Sequence, residues 1–126
     1  ALCSAAPVWA QTSEEKVAAA GRETYLRYCA SCHGTGGKGD GPVAEDLRVA
    51  PADLTQISAR RGGVFPQAMI AELIDGRRRV RAHGPGNMPV WGERFDREVP
   101  TSPAGDIAIR GRVMPLIEYL RSIQAK

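Results

Sequence analysis

No run of about 18 or more apolar residues, the length of a membrane-crossing helix, occurs anywhere in the 126 residues. No stretch shows a convincing alternation of apolar and polar residues, so strands are not expected, and repeats and low-complexity tracts are also missing. Aromatic residues make up only 6% of the chain, a lean fraction that leaves room for a large apolar cofactor to supply part of the core. The chain has no base–nucleophile pair and no carboxylate dyad, which removes the usual machinery for hydrolysis or group transfer. A formal charge of only +3, with acids interspersed, gives poor support for nucleic-acid binding.

The length allows one domain with a single core, and the 43% hydrophobic and 25% charged content is ordinary for a soluble protein. Residues 1–10, ALCSAAPVWA, are uncharged, with Val8 and Ala10 where a signal-peptidase site places small residues. They read as the tail of an export signal or a flexible N-terminus, leaving residues 11–126 as the domain. Export would place the protein in the bacterial periplasm, an oxidising compartment. Leu2 is too bulky for the residue that precedes a lipidated cysteine, so Cys3 is read as incidental.

Helical spacing marks three main helices. Ser13, followed by Glu14 and Glu15, is a capping start, and Val17, Gly21, Tyr25 and Tyr28 then recur on one face. Pro66 opens a second helix with Met69, Ile70, Leu73 and Ile74 inward, closed by Gly76. The third covers roughly 104–124, with Val113, Leu116, Ile117, Leu120 and Ile123 on one face. Met114 is expected on the face of this helix that meets the first, and Pro115 should kink or restart it. Loops over 34–55 and 80–103 are long for so small a domain and need something inside to order them.

The chemistry is concentrated in CASCHG, residues 29–34. A cysteine pair of this spacing serves zinc binding, thiol–disulfide exchange or covalent haem attachment. Zinc lacks a second paired motif here, and the adjacent Cys32 and His33 would struggle to reach one tetrahedral ion. A thioredoxin-like pair follows a strand and opens a helix, whereas this one follows a helix and precedes a glycine loop. Haem attachment accounts for all three residues: Cys29 and Cys32 as thioethers and His33 as an iron ligand. Residues 34–39, GTGGKG, fit a dinucleotide-loop pattern by chance, with no strand before them, and Gly39 after Lys38 breaks a Walker loop.

At these residues the chain resembles the class I, single-haem c-type cytochromes of bacteria. The likeness runs from Gly21 and Tyr25 through CASCHG, GKGDGP at 37–42 and PADLT at 51–55 to NMPVWG at 87–92 and EYLRSI at 118–123. It implies an all-α cytochrome c fold, three main helices plus loops around one covalent haem c, with the first and last helices crossing. Gly21 would admit Tyr119 or Leu120 at that crossing. The resemblance also implies that a proline carbonyl after the glycine loop, at Pro42, orients the iron-bound imidazole.

For the sixth ligand the candidates are Met69, Met88, Met114 and His83. Met69 and Met114 lie in helices, and a lone histidine such as His83 is more often a loop residue, though it would give a bis-histidine iron. Met88, in the loop HGPGNMPVWG and matching the family's Met-Pro-x-Trp-Gly pattern, is chosen, giving metal ligands His33 and Met88. Trp91 would pack on the haem edge. Arg77, Arg78, Arg79 and Arg81 form the one dense basic cluster, either a solvated helix end or a surface for propionates or an acidic partner.

The leading reading is a periplasmic electron carrier, not an enzyme, cycling Fe(III)/Fe(II) between a dehydrogenase or membrane complex and an oxidase or reductase. A second is a tightly bound haem subunit of a periplasmic oxidoreductase complex, with 93–105 as a docking insert. A third is a haem-based gas sensor or peroxidase with a displaceable sixth ligand.

Overall fold

A computed structural model describes residues 11–75 and 103–126. Among the described residues every regular element is helical. Helix α1 spans Ser13–Tyr28, a single turn α2 spans Ala30–His33, α3 spans Gln67–Asp75 and α4 spans Pro103–Ser122. Short 3-10 turns at Ala44–Asp46, Leu54–Gln56 and Ala59–Arg61 punctuate the connection between α2 and α3.

The start of α1 falls one residue earlier than the expected cap. Thr12, not Ser13, caps the helix: its hydroxyl accepts from Glu15 N at 3.2 Å while the Glu15 carboxylate accepts from Thr12 N at 2.8 Å. The reciprocal pair needs an acid three residues after the cap. Thr12 has Glu15 there, whereas Ser13 has Lys16.

Helix α1 packs principally on α4, and α3 on α4. Tyr25, Leu116 and Ile117 lie at the centre of the core, surrounded by Ile70, Ile74, Val113, Tyr119 and Leu120. The Tyr25 and Tyr119 rings meet at 5.1 Å with a 51° tilt, a geometry worth roughly 1 kcal/mol beyond the area it buries. The helical stripes read from the sequence therefore face this core, with two exceptions. Val17 is 40% exposed and Met114 is 44% exposed, so neither is buried in the core, and Val17 instead lines a surface pocket with Glu118 and Arg121 at the rim of the α1–α4 seam. Val17 precedes the point of closest approach by a full turn, and Met114 lies between the inward positions 113 and 116.

That point is Gly21. A Cβ there would clash with the carbonyl carbon and oxygen of Pro115 and sit 2.8 Å from Leu116 N. The expected glycine crossing is present, but its partner is the backbone at Pro115–Leu116, one turn before Tyr119 and Leu120. Backbone meets backbone because Gly21 offers no side chain to hold the helices apart. Nor does α4 restart at Pro115: one helix runs from Pro103 to Ser122 with the proline inside it. Proline removes one intrahelical donor, and packing along the rest of the seam holds the helix through that gap.

Candidate functional site

Helix α1 delivers its last turn directly into the cysteine pair. Cys29 N donates to Tyr25 O at 2.8 Å, and the Cys29 carbonyl accepts from Cys32 N at 3.2 Å and His33 N at 2.9 Å. Cys29, Cys32 and His33 therefore share one helical turn. The turn is anchored from below, where the buried Tyr25 hydroxyl donates to Gly34 O at 2.6 Å. Burial, and to a lesser degree Cys29, Tyr119 and Asp40, pushes the Tyr25 hydroxyl well above its ordinary value.

The glycine-rich segment then doubles back. Gly39 N donates to His33 O at 2.8 Å, Gly41 N to Cys32 O at 3.0 Å and Val43 N to Ser31 O at 3.0 Å. These bonds satisfy carbonyls that a helix end otherwise leaves without partners. The approach is so close that a Cβ on Gly41 would lie 2.6 Å from both the carbonyl carbon and oxygen of Cys32. Here glycine is required by space.

Both cysteines are half-buried and neither forms a disulfide. Burial, and secondarily the neighbouring Cys32, pushes the Cys29 thiol up to about 12. A thiol held protonated in this way is a poor nucleophile for thiol–disulfide exchange. Among the described residues no three histidine, cysteine or acidic side chains converge as a metal site.

His33 is oriented by a second loop. Its Nδ1 lies 2.9 Å from the carbonyl oxygen of Ala52, within the PADLT segment. A proton on Nδ1 makes that contact a donated hydrogen bond and leaves Nε2 as the nitrogen of the ring suited to a metal. The carbonyl on the imidazole thus belongs to Ala52 and not to Pro42, which is exposed. The reason is local: residues 41 and 43 on either side of Pro42 are bonded to the backbone of residues 31 and 32, so the imidazole meets the later arm of the loop instead. Leu54 N to Gly37 O, at 2.6 Å, ties the two arms together. The Asp53 carboxylate accepts from Thr55 N at 2.9 Å and from the Thr55 hydroxyl at 2.6 Å, and the latter bond chiefly holds its carboxyl below the ordinary value.

The family model described as "Cytochrome C oxidase, cbb3-type, subunit III" matches residues 16–99. The chain belongs to this family of c-type cytochromes. No curated protein and no solved structure matches it. The all-α fold agrees with that membership, and a cytochrome c domain implies covalently attached haem c, electron transfer and redox partners. Cytochrome domains of this kind are typically exported, and among the described residues no helix is long and apolar enough to cross a membrane.

The residues present fit such a cofactor. Two undisulfided thiols stand one turn apart beside an imidazole whose Nδ1 is already engaged, the donor set that the cytochrome's group requires. Met88, Trp91, His83 and the cluster Arg77, Arg78, Arg79 and Arg81 lie outside the described residues, as does Gly76. Met69, a rejected ligand candidate, packs against the core from α3. The residue that sequence reasoning missed is Ala52. It acts through its carbonyl, which no side-chain type announces, and only the PADLT likeness pointed to its neighbourhood.

Proposed function

We propose that this cytochrome is a periplasmic single-haem electron-transfer protein with His33 and Met88 as axial ligands. The observation that carries the reading is the fixed imidazole of His33, 2.9 Å from a backbone carbonyl and on the same turn as two thiols. Cys29 and Cys32 would hold haem c through thioethers, His33 through Nε2 and Met88 through its sulfur. Bound haem c supplies one-electron exchange between ferric and ferrous iron. The chain's own part is to fix the imidazole plane, exclude water and set the potential. A thioether ligand favours the ferrous state, so the potential is expected to be comparatively high. Trp91 would cover the haem edge, and the arginines at 77–81 would face propionates or an acidic redox partner.

A second reading is favoured by the family match, whose description names an oxidase subunit. In it the same domain serves as the electron-entry subunit of an oxidase or other oxidoreductase complex. Size exclusion of the native protein separates the two, since a carrier elutes at the size of one chain and a subunit with its complex.

The visible spectrum of the reduced protein, before and after carbon monoxide, tests the ligation. Unchanged six-coordinate c-type bands support a site closed by Met88. Ready binding of carbon monoxide overturns it and moves gas sensing or peroxidase chemistry ahead of electron transfer.

A further inference from the structure

The bond that orients His33 depends on the aim of a backbone carbonyl, and the backbone carrying it is strapped to the far end of the chain. Just beyond α4, Gln124 uses both ends of its side-chain amide. Its Nε2 donates to Leu54 O at 2.8 Å and to Leu120 O at 2.7 Å, and its Oε1 accepts from Ser58 N at 2.9 Å. Ala125 N adds a main-chain bond to Thr55 O at 2.8 Å. One side chain thus ties the end of α4 to both ends of the 54–58 turn, two residues past Ala52.

On its other side the same turn is held by Leu54 N on Gly37 O, by the Asp53–Thr55 cap, and by the Arg60 guanidinium, which donates to Asp53 O and, at 3.2 Å, to Gln56 O. Gln124 is the only side chain in this set that comes from outside the loop, and together with the Ala125 main-chain bond and the packing of Leu54 and Ile57 on the core it fixes where the loop sits relative to the helices.

We infer that Gln124 is a positioning residue for the iron's histidine ligand: it sets the Ala52 carbonyl on His33 Nδ1 and thereby tunes the reduction potential. This rests on the reading of His33 as an axial ligand. A carbonyl that accepts the Nδ1 proton makes the imidazole a more basic ligand, which favours ferric over ferrous iron. Loosening the strap weakens that bond and raises the potential.

The test uses the holoprotein and two uncharged variants, so that no new charge acts on the iron. Gln124→Met removes the donors and the acceptor at similar volume. Gln124→Asn keeps an amide but is one methylene too short to span to the loop, and serves if the methionine variant fails to fold. The potential should shift upward in both. Exchange of the His33 Nδ1 proton should quicken about tenfold, the change that ~1.4 kcal/mol of lost local stability produces. Ser122→Ala, which loses only a bond to Tyr119 O in its own helix, should leave both readouts unmoved. If the Gln124 variants retain the c-type spectrum with unchanged potential and exchange, the inference is overturned while the function stands. If the wild type shows no covalently bound haem, the ligand reading itself fails and this inference with it.

Discussion

Replacing Gly21 with alanine pits helix propensity against packing at one atom. Alanine is favoured over glycine inside a helix by about 1 kcal/mol, so on propensity alone the variant gains stability. The crossing reverses this. The new methyl would clash with the Pro115 carbonyl and sit 2.8 Å from Leu116 N, and all of these are backbone atoms that have no rotamer to escape into. Relief requires α1 and α4 to part by on the order of 1 Å, which forfeits a quarter to a half of each dispersion contact along the seam. Tyr25, Leu116 and Ile117, the most deeply buried side chains described, are close to that point in sequence. Overpacking at the severe end of its usual range costs about 3 kcal/mol, so the net loss should be about 2 kcal/mol. At roughly 4 °C per kcal/mol for a domain of this size, the Tm should fall by about 8 °C. Thermal unfolding of the holoprotein followed by far-ultraviolet circular dichroism reads this directly. Gly111→Ala is the matched control: it lies in α4, is exposed, and a Cβ there meets nothing within 4 Å. It should raise the Tm by about 4 °C, the propensity gain alone. A Gly21→Ala variant as stable as the wild type would refute the close crossing.

Tyr25→Phe removes the buried bond to Gly34 O and should cost about 1 kcal/mol, measured by denaturant unfolding. Because the folded state raises the Tyr25 hydroxyl above its ordinary 10.0, that stabilisation is intact below pH 10 and is lost as pH rises beyond it; the phenylalanine variant should show a flatter alkaline limb. Asp53 has the opposite sign: its depressed carboxyl contributes stability above 3.8 that disappears as pH falls through its folded value, and Asp53→Asn should flatten the acid limb of the same titration. Met88→Ala should create a site that binds carbon monoxide, seen as a shifted reduced spectrum, and no change in that spectrum would sink the assignment of Met88.

Much of this protein was legible in the order of its residues. CASCHG narrowed its own chemistry, because two thiols and an imidazole at that spacing, after a helix and before a glycine loop, suit haem attachment better than zinc binding or thiol exchange. The apolar stripes of α3 and α4 were likewise periodic in the sequence, since a 3.6-residue repeat already decides which positions share a face.

What the chain order left open was decided by contacts between distant segments. Thr12 caps α1 because an acid three residues on completes the pair, which local reading placed one residue late. Gly21 signalled a close approach, but only the packed helices select Pro115 and Leu116 as its partners. The acceptor on His33 is a backbone carbonyl, a group every residue possesses, so sequence has no means to distinguish Ala52 from Pro42. That choice falls to the fold, because hydrogen bonds from residues 41 and 43 commit the first arm of the loop to the cysteine turn and bring the second arm to the imidazole.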